Sequence, residues 1–231
     1  MNRLALCRNG GIRMLATLAC LFAGLLLAVP AGAQQITMKI AFSTIRSGME
    51  NWANTIKAGL ERRAGNRLKI EIYPGGQLGT QPSVIRNTQL GAIEMAEMPP
   101  ELLTAVDSRF DIFSSPGIFD DLAHAHRALH DKSFVKSFWP ILDSKELKLI
   151  GFACESEADY IATAPIKTLA DFKGKKIRVL GSKLEIEILR RLGATGVPME
   201  FSEVMPAFQQ KAIDGVRAGI VIFVPFRTSV A

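Results

Sequence analysis

Lys175-Lys-Ile-Arg-Val-Leu-Gly-Ser-Lys-Leu-Glu185 is the stretch whose reading decides the fold. Alternation over residues 175–180 puts Ile177 and Val179 on one side of a strand and Lys176, Arg178 and Leu180 on the other. Gly181 then makes a turn, and Ser182 followed three residues later by Glu185 is a capping-box signature that opens a helix. A strand passing through a tight turn into a helix is the repeating unit of α/β proteins, whose sheets are largely parallel and covered by helices on both faces. Arg178 therefore stands near the carboxyl end of a strand and beside a helix N-terminus. That is where open α/β sheets bind ligands, and helix N-termini favour anions. A guanidinium so placed can hold a carboxylate through two parallel charge-assisted hydrogen bonds. It can equally be a plain surface arginine in the basic edge formed by Lys173, Lys175 and Lys176, and position alone leaves both readings open.

Outward from this unit the same alternation of strand and helix signals recurs. On the N-terminal side, residues 38–42 alternate as a strand, and Trp52, Ile56 and Leu60 repeat as one helix face. Residues 68–73 form a second strand stopped by Pro74-Gly75-Gly76, and a short helix to Leu90 ends at Gly91, a natural residue after a helix. A strand over 93–98, helices over 121–130 and 133–142, and a strand over 148–152 follow. Residues 153–163 lose any period and carry several acids, which reads as a crossing between two lobes. On the C-terminal side, the helix from Ser182 ends at Gly193, a strand lies near Val197, a helix covers 202–213, and the apolar run 218–224 reads as a last strand.

The 231 residues are 48% hydrophobic and 22% charged, with 19 Gly and 11 Pro, an ordinary globular composition. Arg3, Arg8 and Arg13, with no acid among them, precede an apolar run from Met14 to Val29, then Pro30 and the small residues Ala31-Gly32-Ala33. This is the layout of a secretory signal, with cleavage expected between Ala33 and Gln34. A permanent membrane anchor is the competing reading, because the run is long. A lipid-modified Cys20 is disfavoured by Thr17 and Leu18 before it. Removing the three arginines lowers the formal charge from +6 to +3, so the basic balance does not argue for nucleic acid. It would also leave Cys154 as the one cysteine, which suits an exported bacterial protein held together by its core rather than by disulfides.

Other chemistry-bearing patterns are weak. His126 and His130 share a helix face at a spacing that can bind metal, but no H-E-x-x-H surrounds them, and a solvated helix accounts for them equally. Cys154 has no flanking sequence of a nucleophile and reads as an inert, half-buried thiol. Gly75, Gly76 and Gly79 miss the spacing of a dinucleotide loop. No cofactor, catalytic residue or metal site is expected.

Several phrases, in order, resemble the solute-binding subunit of tripartite ATP-independent periplasmic (TRAP) transporters, the DctP family. They are Ile70-Glu-Ile-Tyr-Pro-Gly-Gly-Gln-Leu-Gly79, Gln89-Leu-Gly-Ala-Ile-Glu-Met95, Ala123-His-Ala-His-Arg127, Asp171-Phe-Lys-Gly-Lys-Lys-Ile-Arg-Val179, Leu192-Gly-Ala-Thr-Gly-Val-Pro-Met199, Phe201-Ser-Glu-Val204 and Ile213-Asp-Gly215. The resemblance implies a two-lobed periplasmic binding protein of α/β class, type II-like, each lobe a mostly parallel sheet flanked by helices. It implies an extracytoplasmic, non-enzymatic protein that closes over a small organic acid and delivers it to membrane permease subunits. Arg178 is the implied carboxylate partner and Phe201 an aromatic of the cleft, while the helix opened by Ser182 is expected to add its positive end. Two departures bear on the ligand. Ala218 stands where the family often has an Asn, and Glu157 and Asp159 lie where many members carry a second Arg. A monocarboxylate, or an acid with a polar or cationic far end, fits better than a dicarboxylate.

The expected layout is a signal over 1–33, a first lobe over 34–152, a crossing over 153–164, part of a second lobe over 165–217, and the start of a return crossing over 218–231. Family members continue further, so the chain is expected to be a fragment, a frameshifted product or a degenerate copy. It is then expected to be less stable than a full-length member, because the strand at 218–224 lacks a covering helix. A monomer without nucleic-acid partners is expected. The competing functions are a similar binding protein feeding a sensor or an ATP-driven importer and, from another class, a hydrolase using Cys154 or the histidines.

Overall fold

Alternating apolar residues build two short sheets. The computed structural model describes residues 35–154 and 156–223. Strands β1 (Ile36–Ala41), β2 (Leu68–Tyr73) and β3 (Met95–Ala96) form the first sheet in the order β2-β1-β3. β1 runs parallel to β3 with Ile40 opposite Met95. Helix α1 (Gly48–Ala64) lays Trp52, Ile56 and Leu60, the face read from the sequence, against a core of Ile40, Phe42, Ala53, Ile70 and Met95. Helix α2 (Gln81–Gln89) buries Val84 and Ile85. Helices α3 (Leu122–His130) and α4 (Lys132–Asp143) are each opened by an aspartate: Asp121 accepts from the His124 N–H, and Asp131 from those of Ser133 and Phe134. α4 packs Phe138 and Ile141 into an aromatic cluster with Phe110, Phe113 and Phe152.

The second sheet holds β4 (Asp159–Ala162), β5 (Lys176–Val179), β6 (Thr195–Pro198) and β7 (Gly215–Ala218) in the order β4-β7-β5-β6. β5 runs parallel to both of its neighbours, and β4 is antiparallel to β7. Asp214 fixes the start of β7: its carboxylate accepts from the Lys176 N–H at 2.8 Å, and its own N–H donates to the Lys176 carbonyl at 2.8 Å. Ile177 and Val179 point into a core with Phe172 and Leu189, the last from helix α5 (Lys183–Arg191). The opposite face is covered by helix α6 (Phe201–Gln209), whose Val204 and Ala207 pack on Val216 and Ile213. Both lobes are therefore α/β layers with parallel pairing at their centres, as the βα unit at 175–185 implies.

Three expectations are corrected. Residues 148–152 form no strand: Leu149 and Phe152 do turn inward and Ile150 outward, but among the described residues no strand lies beside them to complete a ladder. Residues 159–162, within the aperiodic stretch, are the strand β4, because Tyr160 and Ile161 find partners in Arg217 and Val216. The last strand lies at Gly215–Ala218 rather than 218–224. Gly219 follows, and Ile220–Ile222 is a turn of 3₁₀ helix. The uncovered strand behind the expected loss of stability is thus not formed over 219–223. The secretory signal and the chain from 224 onward lie outside the described residues. Among those described, no helix is long and apolar enough to cross a membrane.

Two glycines test this packing in opposite directions. A Cβ on Gly215 would meet Ile177 Cδ1 at 2.8 Å and the Ile161 carbonyl oxygen at 3.0 Å, so Gly215→Ala should lower Tm by about 2 to 10 °C through overpacking. Gly59 lies inside α1, where a Cβ meets only the Arg63 guanidinium at 3.9 Å, and Gly59→Ala should raise Tm by about 1 to 3 °C. Thermal melts of the two variants check both signs, and a Gly215→Ala protein as stable as the parent would show that β5 and β7 are not so closely packed.

Candidate functional site

The parallel pairing of β5 with β7 brings their carboxyl ends to one edge of the sheet, and each carries an arginine there. Arg178 lies in register with Val216 on the face covered by α6, while Arg217, paired across to Tyr160, lies on the face covered by α5. Both line a cleft of about 1040 Å³ whose other wall comes from the first lobe, including Thr44, Trp52, Gln81, Glu97 and Glu101.

Arg178 is only 3% exposed, which excludes the surface-edge reading, although Lys173 and Lys176 beside it are exposed. Its Nε donates to the Met199 carbonyl at 2.9 Å, which fixes the plane of the guanidinium. No carboxylate of the described residues lies within ion-pair distance of it. Burial pushes its pKa down, opposed by the field of Glu185 and Glu200. Arginine keeps its proton regardless, so a buried cation without an ion partner faces a cleft, an arrangement suited to receive an anion.

Arg217 is differently placed. It forms an ion pair with Glu185, whose side chain is 1% exposed and whose other oxygen accepts from the Leu180 N–H at 3.0 Å. The capping box read at Ser182 and Glu185 is thus half formed. The Ser182 hydroxyl accepts from the Glu185 N–H at 3.3 Å, but the Glu185 carboxylate turns to Leu180 and Arg217 instead of the cap. Ser182 itself is buried, donates to Asp111 at 2.7 Å across to the first lobe, and does not line the cleft. The helix N-termini that do line it are those of α1, at Gly48 and Met49, of α2, at Gln81 and Pro82, and of α6, at Glu200 and Phe201. The Gln81 N–H donates to Glu200 Oε1 at 3.3 Å, a second bond between the lobes.

Phe201 lines the cleft with its ring edge-on to Phe223, centroids 5.9 Å apart. Ala218 and Glu157 line it too, so the position of the missing amide presents a methyl and that near the missing second arginine presents an acid. Cys154 is also in the wall, and burial, with Glu157 nearby, raises its thiol pKa, which keeps it protonated and unreactive. His126 and His130 stack at 4.0 Å on α3, and among the described residues no group of three or more His, Cys, Asp or Glu is placed to hold a metal.

Arg217 and Glu101 also line the cleft, and neither stands out in the sequence pattern. Arg217 follows buried Val216 as Arg178 follows buried Ile177, so its signal was alternation in a strand set a few residues too late. Glu101 carried no signal: it sits in a 3₁₀ turn (Pro100–Ala105) after two prolines. Burial pushes its carboxyl up to about 7, with the negative charge of Glu185 adding to the effect and Arg217 opposing it.

Folded Glu101 holds its proton up to about pH 7, whereas an ordinary glutamate loses it near 4.5, so its contribution to stability is full below about 4.5 and is lost as the pH rises through about 7. Glu101→Gln removes that loss, and its Tm relative to the parent should climb between about pH 5 and pH 8. Parallel Tm profiles across that window would contradict a buried, protonated Glu101.

The family described as DctP, bacterial extracellular solute-binding protein family 7, matches residues 43–223. The 2,3-diketo-L-gulonate-binding periplasmic protein YiaO of Escherichia coli is 30% identical over 156 residues, 67% of this chain and 47% of that protein. A TRAP periplasmic solute-binding protein from Xanthobacter autotrophicus, solved with bound β-D-galacturonate, is 26% identical with a TM-score of 0.72, covering 80% of this chain and 61% of that one. Another from Desulfovibrio salexigens, solved with orotic acid, superposes with a TM-score of 0.77 at 24% identity over 83% and 62% of the two chains, which speaks for the fold alone. The chain thus spans between 47% and 62% of the length of these relatives. With a family match over most of its length and the two-lobed α/β fold of its relatives, this chain belongs to the DctP family of bacterial extracellular solute-binding proteins.

Proposed function

We propose that the protein is a periplasmic, monomeric binding protein that captures a small organic acid in the cleft and passes it to a TRAP-type permease without altering it chemically. The observation that carries this reading is Arg178, a buried guanidinium held in plane by the Met199 carbonyl and with no carboxylate of the described residues within ion-pair distance. Its planar fork matches a carboxylate, and Phe201 in the cleft wall offers apolar surface to the rest of the ligand. The relatives support the choice of ligand class: one is named for 2,3-diketo-L-gulonate and another was solved with galacturonate, both acids. Cys154 and the histidines have no part in it.

Trp52 lines the cleft, so its fluorescence reports occupancy alongside titration calorimetry. With a panel of uronic and short-chain acids, Arg178→Ala should weaken binding about ten- to a hundredfold, the equivalent of roughly 1.5 to 3 kcal/mol for charge-assisted hydrogen bonds. Arg178→Lys should recover only part of the loss, because an ammonium keeps the charge but not the fork. Unchanged affinity in a folded Arg178→Ala protein, or equal binding of an acid and its amide, would overturn the assignment.

A further inference from the structure

Two arginines stand side by side at the cleft, but they are held differently. Arg178 is paired across the sheet with Val216, so Arg217 is the next residue along the neighbouring strand. Both side chains line the cleft. Two guanidiniums placed in this way would ordinarily receive two carboxylates, since each presents a planar fork. Glu185 changes that. It lies in the first turn of α5, its side chain is 1% exposed, and it does not line the cleft. One of its oxygens pairs with Arg217 Nη1, and the other accepts from the Leu180 N–H at 3.0 Å. Arg217 is therefore held from behind the wall, and its side chain is only 16% exposed.

A ligand carboxylate seeking Arg217 would have to draw it off Glu185. That would leave a buried glutamate charge without its counter-charge, and a buried ion pair with one member uncompensated is strongly destabilising. The bond to the Leu180 N–H serves the same end, because it fixes the Glu185 carboxylate against the end of β5 and keeps it from following Arg217 into the cleft. Lys148, the remaining basic side chain of the wall among the described residues, is 73% exposed and pairs with Asp143 at 2.9 Å. Water screens that charge, so it is a weak substitute for a buried arginine.

We propose that Glu185 is a positioning residue that sets the charge class of the ligand: by holding Arg217 it leaves Arg178 as the single carboxylate receptor, and the cleft gains nothing from a second carboxylate. This deepens the reading of Arg178 as carboxylate anchor and rests on it.

The test compares succinate, glutarate and adipate, each with its own monomethyl ester, by calorimetry on the full chain at neutral pH. The ester keeps the skeleton and one carboxylate, and the three lengths cover different spans between the arginines. In the parent protein each diacid should bind no tighter than its ester. Glu185→Gln keeps the shape and an acceptor for the Leu180 N–H but removes the charge. In that variant at least one diacid should gain about tenfold over its ester, while ester affinity stays within about threefold of the parent. Adding Arg217→Gln should abolish the gain, a dependence that a merely structural role for Glu185 would not produce. A diacid about tenfold tighter than its ester in the parent would overturn the inference even if the variants fail to fold, and so would a folded Glu185→Gln protein without any gain. If the esters still bind in an Arg178-dependent way, the carboxylate anchor survives either result. Binding indifferent to Arg178→Ala, or failure of every probe to bind at millimolar concentration, would overturn both.

Discussion

A buried guanidinium with no ion partner organises this molecule. Taking a cation out of water is costly unless hydrogen bonds and an opposite charge replace the water. Arg178 has the first, from the Met199 carbonyl, and lacks the second among the described residues. The surrounding elements hold it in that state. Ile177 and Val179 anchor its strand in one core, and Val216 and Val204 wall off the opposite face. The neighbouring cation Arg217 is occupied by Glu185, which also takes the Leu180 N–H just past the strand end. One arginine is thereby locked into the scaffold and the other is left facing the cleft.

The sheet geometry explains why the candidate site lies where it does. β5 and β7 run parallel, so the side chains at their carboxyl ends emerge at one edge, and Asp214 sets their stagger through two bonds to the Lys176 backbone, one from its carboxylate and one from its own N–H. Gly215 lets the strands close, since any Cβ there would press on Ile177. The first lobe supplies the other wall and reaches across through the Gln81 N–H to Glu200 and through Asp111 to the Ser182 hydroxyl. Those two bonds join the lobes.

The parts of this arrangement that were legible in the sequence are those set by local periodicity. Alternation in 175–180 and the apolar face of Trp52, Ile56 and Leu60 both give the observed elements, and the position of Arg178 at a strand end follows from them. What local periodicity could not supply was partnership. Residues 148–152 are apolar enough for a strand but find no neighbouring strand among the described residues, while 159–162 look aperiodic yet become a strand because β7 is there to pair with. The same dependence hid Arg217, whose strand was read a few residues late. Ser182 carried a true helix-start signal, but its hydroxyl, while capping the helix, donates to Asp111 away from the cleft, and the helix N-termini at the cleft are those of α1, α2 and α6.

The central claim is that the Arg178 fork holds a ligand carboxylate. A crystal structure of the chain grown with an organic acid that titrates in calorimetry measures this directly. The account predicts one carboxylate with both oxygens within about 3.2 Å of the two Arg178 Nη atoms, in the cleft and beside Phe201. An acid bound elsewhere, or an Arg178 turned onto Glu200 with the ligand's carboxylate facing solvent, would contradict it.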